Sequence, residues 1–134
     1  MSLAELRTDL VILACASSAG IHGALVRDHF EEGIGAGLGF VAATVVLAVL
    51  AVVLTRRPTQ LALLATAAVF AGLIASYALV ITTGFPVLHA EPETVDGLAL
   101  FTKAVEAIGL VLAASLLRRP SLAVTLKQPK GTLT

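Results

Sequence analysis

The 134-residue sequence has few charged residues, one cysteine and no tryptophan. Asp, Glu, Lys and Arg make up only 13% of the chain, whereas soluble domains carry about a quarter. The single cysteine, Cys15, excludes an intrachain disulfide and a metal cluster held by cysteines. Nine basic residues balance nine acidic ones, so the chain lacks the positive surplus with which proteins neutralise phosphates. We therefore expect neither a soluble domain nor a nucleic-acid partner.

Four long apolar runs account for most of the sequence. Hydrophobic residues make up 57% of the chain, and the mean hydropathy is +0.96. Each run approaches the roughly 20 residues that a helix needs to cross a bilayer. We predict an all-α polytopic membrane protein, a single membrane domain over residues 1–134, with four transmembrane helices in an up-down-up-down bundle. The predicted helices cover about residues 6–30, 34–55, 59–82 and 96–118, with an outer loop at 83–95 and a cytoplasmic tail at 119–134.

Basic and acidic residues collect at opposite ends of the predicted helices. The basic set consists of Arg7, Arg56, Arg57, Arg118, Arg119, Lys127 and Lys130. Only Glu5 and Asp9 lie among them, and the other acidic residues fall at the opposite ends. Lys and Arg in short loops stay on the cytoplasmic side of a membrane. We therefore predict that both termini are cytoplasmic, that the acidic face looks outward, and that the protein lies in a plasma (inner) membrane.

Small residues recur every four positions on three of the predicted helices. They are Ala16, Gly20 and Ala24 on the first, Gly35 and Gly39 on the second, and Ala67, Ala71 and Ala75 on the third. Small residues at this spacing let helix backbones approach closely in lipid. We predict that these stripes are packing faces, either within the chain or in a homo-oligomer.

All three histidines fall on the predicted outward side. His29 and Glu32 are three residues apart, so on a helix they can aim at one point. Imidazole nitrogen and carboxylate oxygen suit Zn²⁺, Cu²⁺ or non-haem iron. We therefore predict an outward site for a divalent transition metal, with His22 beneath it as a lower ligand or a relay. The predicted metal-site residues are His22, His29, Glu32, His89, Glu91 and Glu93.

His22 also has a structural interpretation. A hydrogen bond to Thr82, Thr83 or Tyr77 would satisfy its imidazole inside the bundle. Haem held by two histidines has weaker support, because only His22 is placed at a suitable depth.

Lys103 and Glu106 interrupt the fourth apolar run. A charge at the centre of a bilayer costs about 2.5–3.5 kcal/mol on insertion scales, so we expect both side chains to avoid lipid. Their spacing of three residues allows them to pair. Lys103 is long enough to reach outward, whereas Glu106 lies deeper, so Glu106 is the carboxylate for which we most expect a function. No catalytic residue is predicted, because no nucleophile has an evident base beside it.

Several segments together resemble a group of small, uncharacterised four-helix bacterial integral membrane proteins. The resemblance rests on Gly20-Ile21-His22, on Asp28-His29-Phe30-Glu31-Glu32, on the glycine-rich second span, on Gly84-Phe85-Pro86, on His89-Ala90-Glu91-Pro92-Glu93 and on Glu106. It covers nearly the whole chain. It implies the four-helix topology and a shared outward polar site, and it brings no established activity.

Three functions follow from these observations. The first hypothesis is an integral membrane protein that binds Zn, Cu or Fe at its outward face as a sensor, carrier or assembly factor. The second is an accessory structural subunit of a larger membrane complex. The third is proton or ion transport through Glu106, Lys103 and His22. An enzyme is the least supported class, since no cofactor motif or complete acid–base pair is visible.

Overall fold

The computed structural model describes residues 1–84 and 94–118, which form a bundle of four α-helices. The helices are α1 (Leu3–Glu32), α2 (Ile34–Arg56), α3 (Gln60–Thr82) and α4 (Gly97–Leu117). All four are long and apolar enough to cross a membrane. For the described residues, the all-helical class and the four potential spans predicted from the sequence are therefore confirmed.

The helix starts are set by local capping rather than by hydropathy. α1 begins at Leu3, ahead of its apolar run, because Ser2 and Glu5 form a capping box in which each side chain accepts a hydrogen bond from the backbone of the other. Thr59 caps α3, and Asp96 caps α4 by accepting a hydrogen bond from the Ala99 amide at 2.7 Å. These side chains satisfy amides that would otherwise lack partners at the helix ends.

The half of the bundle near the chain start and the α2–α3 connection has an apolar, tightly packed core. Val11, Leu47 and Phe70 are fully buried there, and Leu54 is nearly so. Phe70 of α3 lies against Gly109 of α4, where an added Cβ would be only 2.5 Å from the ring. Gly109 is therefore needed for this close approach between helices.

Large apolar side chains cover the outside of the bundle. Val45 and Val49 on α2 are each 55% exposed, and Ile108 and Val111 on α4 are 59% and 67% exposed. An apolar surface this extensive is costly in water but suits contact with lipid. The surface thus agrees with the membrane-spanning potential of the helices.

For contacts within the chain, the prediction that the small-residue stripe of α1 is a packing face is wrong. Ala16, Gly20 and Ala24 are exposed, and so are Ala71 and Ala75 on α3. Ala67, Gly35 and Gly39 are partly buried. The face of α1 that packs inward instead contains Val11, Ala14, Cys15, Ser18, Ala19, His22 and His29. The physical reason is that this rotation of α1 turns Ser18 and His22 toward a buried carboxylate on α4, which residue size alone does not indicate.

Candidate functional site: a buried charged cluster and its pocket

Four side chains from two helices meet inside the bundle, and we call them the polar cluster: Ser18 and His22 of α1, and Lys103 and Glu106 of α4. Glu106 and Ser18 are 0% exposed, and His22 is 6% exposed. Buried charges in proteins are paired or hydrogen-bonded because their desolvation is costly. The cluster meets that requirement, since each of its members contacts another.

Glu106 is held through both of its carboxylate oxygens. Ser18 Oγ donates a hydrogen bond to Oε1 at 2.8 Å, and Lys103 Nζ donates to Oε2 at 2.6 Å. Lys103 Nζ also donates to the Leu73 carbonyl at 3.4 Å and lies 5.5 Å from the centroid of the Tyr77 ring. The ammonium group therefore joins α4 to α3, while the carboxylate joins α4 to α1.

The orientation of His22 is fixed by the backbone of its own helix. Its Nδ1 lies 2.9 Å from the Ser18 carbonyl oxygen and 3.3 Å from Ser18 Oγ. The only hydroxyl hydrogen of Ser18 is donated to Glu106, so both Ser18 oxygens act as acceptors and Nδ1 is the donor. Ser18, rather than the expected Thr82, Thr83 or Tyr77, is the partner of this imidazole. A serine four residues earlier on the same helix is the local signal that could have indicated it.

The second imidazole of α1 repeats this arrangement. His29 Nδ1 lies 2.9 Å from the Leu25 carbonyl oxygen, and His29 Nε2 lies 3.9 Å from Glu32 Oε2. Phe40 of α2 contacts both imidazoles: its ring stacks on His29 with centroids 3.5 Å apart and lies 5.0 Å from the His22 ring. Sequence reasoning did not identify Phe40, because its role depends on how α2 packs against α1.

A pocket of about 370 Å³ leads to the polar cluster, and all four helices line it. Its inner end includes His22, Thr102 and Lys103, which are buried or nearly so. Exposed carboxylate residues stand at its outer end, namely Asp28, Glu32 and Asp96. His22 and Lys103 therefore border both the pocket and Glu106.

Beyond Glu106 the bundle is filled mostly by apolar side chains, and the buried Thr66 hydroxyl donates to the Ala62 carbonyl of its own helix at 2.8 Å. Phe70 packs against Gly109, and an added Cβ on Gly109 would also lie 3.0 Å from Ala14 Cβ. Val11, Cys15 and Leu47 are completely buried in the same core. Among residues 1–84 and 94–118, the pocket thus approaches the cluster from the end where Glu32 and Gly97 lie.

The residues predicted to bind a metal do not all lie together in the structure. His29 and Glu32 lie side by side, whereas His22 faces Glu106. His89, Glu91 and Glu93 fall outside the described residues. Within residues 1–84 and 94–118, no group of three or more His, Cys, Asp or Glu side chains is placed to hold a metal ion.

Comparisons with known proteins add no assignment to this geometry. Neither a protein-family model, nor a curated protein, nor a solved structure matches the chain. The function has to be inferred from the polar cluster and the pocket.

Proposed function

We propose that this chain is a multi-pass protein of a bacterial inner membrane that takes up and releases a proton at Glu106, by way of His22 and the pocket. The observation that supports this most directly is the carboxylate of Glu106, which is fully buried among apolar helices yet lies next to two groups that border the pocket. Ionisable residues inside a membrane protein generally mark ion or proton paths.

Contacts between helices support the topology that belongs to this proposal. α1 meets α2 at Gly23 and Thr44, and again at Phe30 and Gly37. As residue numbers rise along α1 they fall along α2, which is the relation expected of helices that cross in opposite directions. We propose the up-down-up-down arrangement with both termini cytoplasmic, since Arg7, Arg56 and Arg118 lie at the helix ends opposite the acidic mouth of the pocket.

The chemistry follows from the tautomer of His22. Because Nδ1 donates to Ser18, Nε2 is the nitrogen that gains or loses a proton. Nε2 lies 3.9 Å from Glu106 Oε1. When Nε2 carries no proton, its lone pair faces a carboxylate oxygen that already accepts a hydrogen bond from Ser18. When Nε2 binds a proton, the His22 imidazolium faces the Glu106 carboxylate, or the proton passes on to that carboxylate.

Access to this proton site is one-sided in the described conformation. The pocket reaches His22 and Lys103, whereas the apolar core around Phe70 and Leu47 closes the other half of the bundle. Proton binding therefore needs no conformational change, but proton transport across the membrane requires a second conformation in which the core around Phe70 opens. We expect slow, gated flux rather than the flux of an open channel.

Infrared difference spectroscopy on protein reconstituted in lipid tests the proposal. A pH titration should reveal a protonated carboxyl signal that Glu106→Gln removes and that Glu31→Gln, an exposed control on α1, leaves in place. In liposomes loaded with a pH-sensitive dye, Glu106→Gln should also abolish any proton flux that the native protein supports. A titration identical in Glu106→Gln and native protein would contradict the proposal.

Metal binding remains a second candidate because of one specific contact. His29 presents Nε2 toward Glu32 at 3.9 Å while its Nδ1 is held by the Leu25 carbonyl. That is the way in which ligating histidines are usually oriented. Elemental analysis of protein purified without a His tag tests it: about one Zn, Cu or Fe per chain, lost in the His29→Ala/His89→Ala double variant, would support a metal site.

A further inference from the structure

We propose that the pocket binds a small amphipathic organic cation, an apolar body bearing an ammonium group. This inference concerns occupancy of the pocket while Glu106 is ionised, and its test measures ligand binding rather than proton uptake at Glu106. The volume of the pocket, about 370 Å³, falls within the range of roughly 300–1,000 Å³ that is usual for small-molecule sites.

The walls of the pocket favour an apolar body. Ile21 and Leu25 of α1, Leu73 and Val80 of α3 and Leu98 of α4 line it. Ligand pockets of this kind bury most of an organic molecule against apolar side chains and orient it with a few polar groups. The apolar walls thus select against a bare inorganic ion and in favour of a molecule with hydrocarbon surface.

The carboxylates at the outer end of the pocket favour a ligand with a positive charge. Asp28 of α1 and Asp96 of α4 stand on two sides of the mouth, and Glu32 lies on the same end of α1 beside His29. Asp96 uses Oδ1 to accept the hydrogen bond from the Ala99 amide that caps α4. Carboxylates that line one cleft concentrate the field and attract a cation.

The inner end does not oppose this charge preference. The Lys103 side chain is only 17% exposed, and its ammonium group is neutralised by Glu106 at 2.6 Å. The inner wall therefore presents an ion pair with no net charge rather than a free cation. An anionic ligand would gain little from Lys103 and would have to pass the carboxylates at the mouth.

Calorimetric binding to the full-length protein in nanodiscs tests the inference with three probes that share a benzyl group and differ in charge. Benzyltrimethylammonium has a permanent positive charge, benzyl alcohol is neutral and phenylmethanesulfonate is negative. We expect the cation to bind more tightly than the alcohol and the sulfonate not to bind. Because water screens these exposed carboxylates, the Asp28→Asn/Asp96→Asn variant should weaken cation binding only moderately, about tenfold.

Matched variants separate charge from folding and from lipid partitioning. Asparagine at position 96 still caps α4, and Glu31→Gln removes an exposed acid that pairs with Arg27 outside the pocket, so Glu31→Gln should bind normally. Ala99→Leu should fill the pocket and abolish binding, whereas Ala104→Leu on the exposed side of α4 should not. Equal binding of all three probes, tighter binding of the sulfonate, or cation binding unchanged in both Asp28→Asn/Asp96→Asn and Ala99→Leu would overturn the inference.

Discussion

Removing one member of the Lys103–Glu106 pair should destabilise the protein more than removing both. Glu106 is fully buried, the Lys103 side chain is 17% exposed, and the two groups are 2.6 Å apart. Removing one partner of a buried pair leaves the other charge desolvated without compensation, which costs about 3–5 kcal/mol. Replacing both by uncharged groups of similar volume is often close to neutral, because the desolvation penalty disappears with the attraction.

The assay is a double-mutant cycle on the free energy of unfolding. Lys103→Met, Glu106→Gln and the double variant would be unfolded by SDS titration in mixed micelles. We expect each single variant to lose about 3 kcal/mol, and the double variant to lose less than either, since the two sites are in contact and their effects are not additive. The Ser18 hydroxyl can still donate to the amide oxygen of a glutamine, so the cycle isolates the charge.

A surface pair on the same protein provides the control. Arg27 and Glu31 lie 3.6 Å apart with side chains 88% and 71% exposed. Water screens such a pair and its net contribution is small, so an equivalent cycle on Arg27 and Glu31 should show no measurable coupling. If the penalties of Lys103→Met and Glu106→Gln simply add, Lys103 does not neutralise Glu106 in the interior.

Two further predictions concern packing and helix capping. Gly109→Ala should lower the free energy of unfolding by about 1–3 kcal/mol, because its Cβ would lie 2.5 Å from the Phe70 ring, whereas Gly72→Ala, with no neighbouring atom within 4 Å, should be neutral or stabilising in the same SDS titration. Asp96→Ala should cost about 1 kcal/mol because the Ala99 amide loses its acceptor, while Asp96→Asn should retain the cap; equal losses in the two variants would show that charge, not capping, matters at this position.

Much of the site could be anticipated residue by residue, but not its assembly. Lys103 and Glu106 stand out in an apolar run, and a spacing of three residues on one helix suffices to suggest a pair. Phe40 gave no such signal, because it contacts residues of another helix. The four-residue spacing of Ser18 and His22 could have indicated their contact, but not the hydrogen bond that Ser18 donates to Glu106 of another helix. The interpretation of His22 as a metal ligand followed from its position near the other histidines, and its contact with Glu106 emerges only when α1 packs on α4.

The sequence by itself determined the number of helices among the described residues and their approximate extents, although α1 begins at Leu3 rather than near residue 6. Hydropathy and capping are local properties, so the runs between Glu32, Arg56 and Pro86 already specify where helices can form. The tertiary structure alone decided which side of each helix faces inward. A helix that is apolar all round has no side selected by water, so its rotation is set by contacts with neighbouring helices. For α1 that rotation placed Ser18 and His22 on Glu106 and left Ala16, Gly20 and Ala24 on the surface.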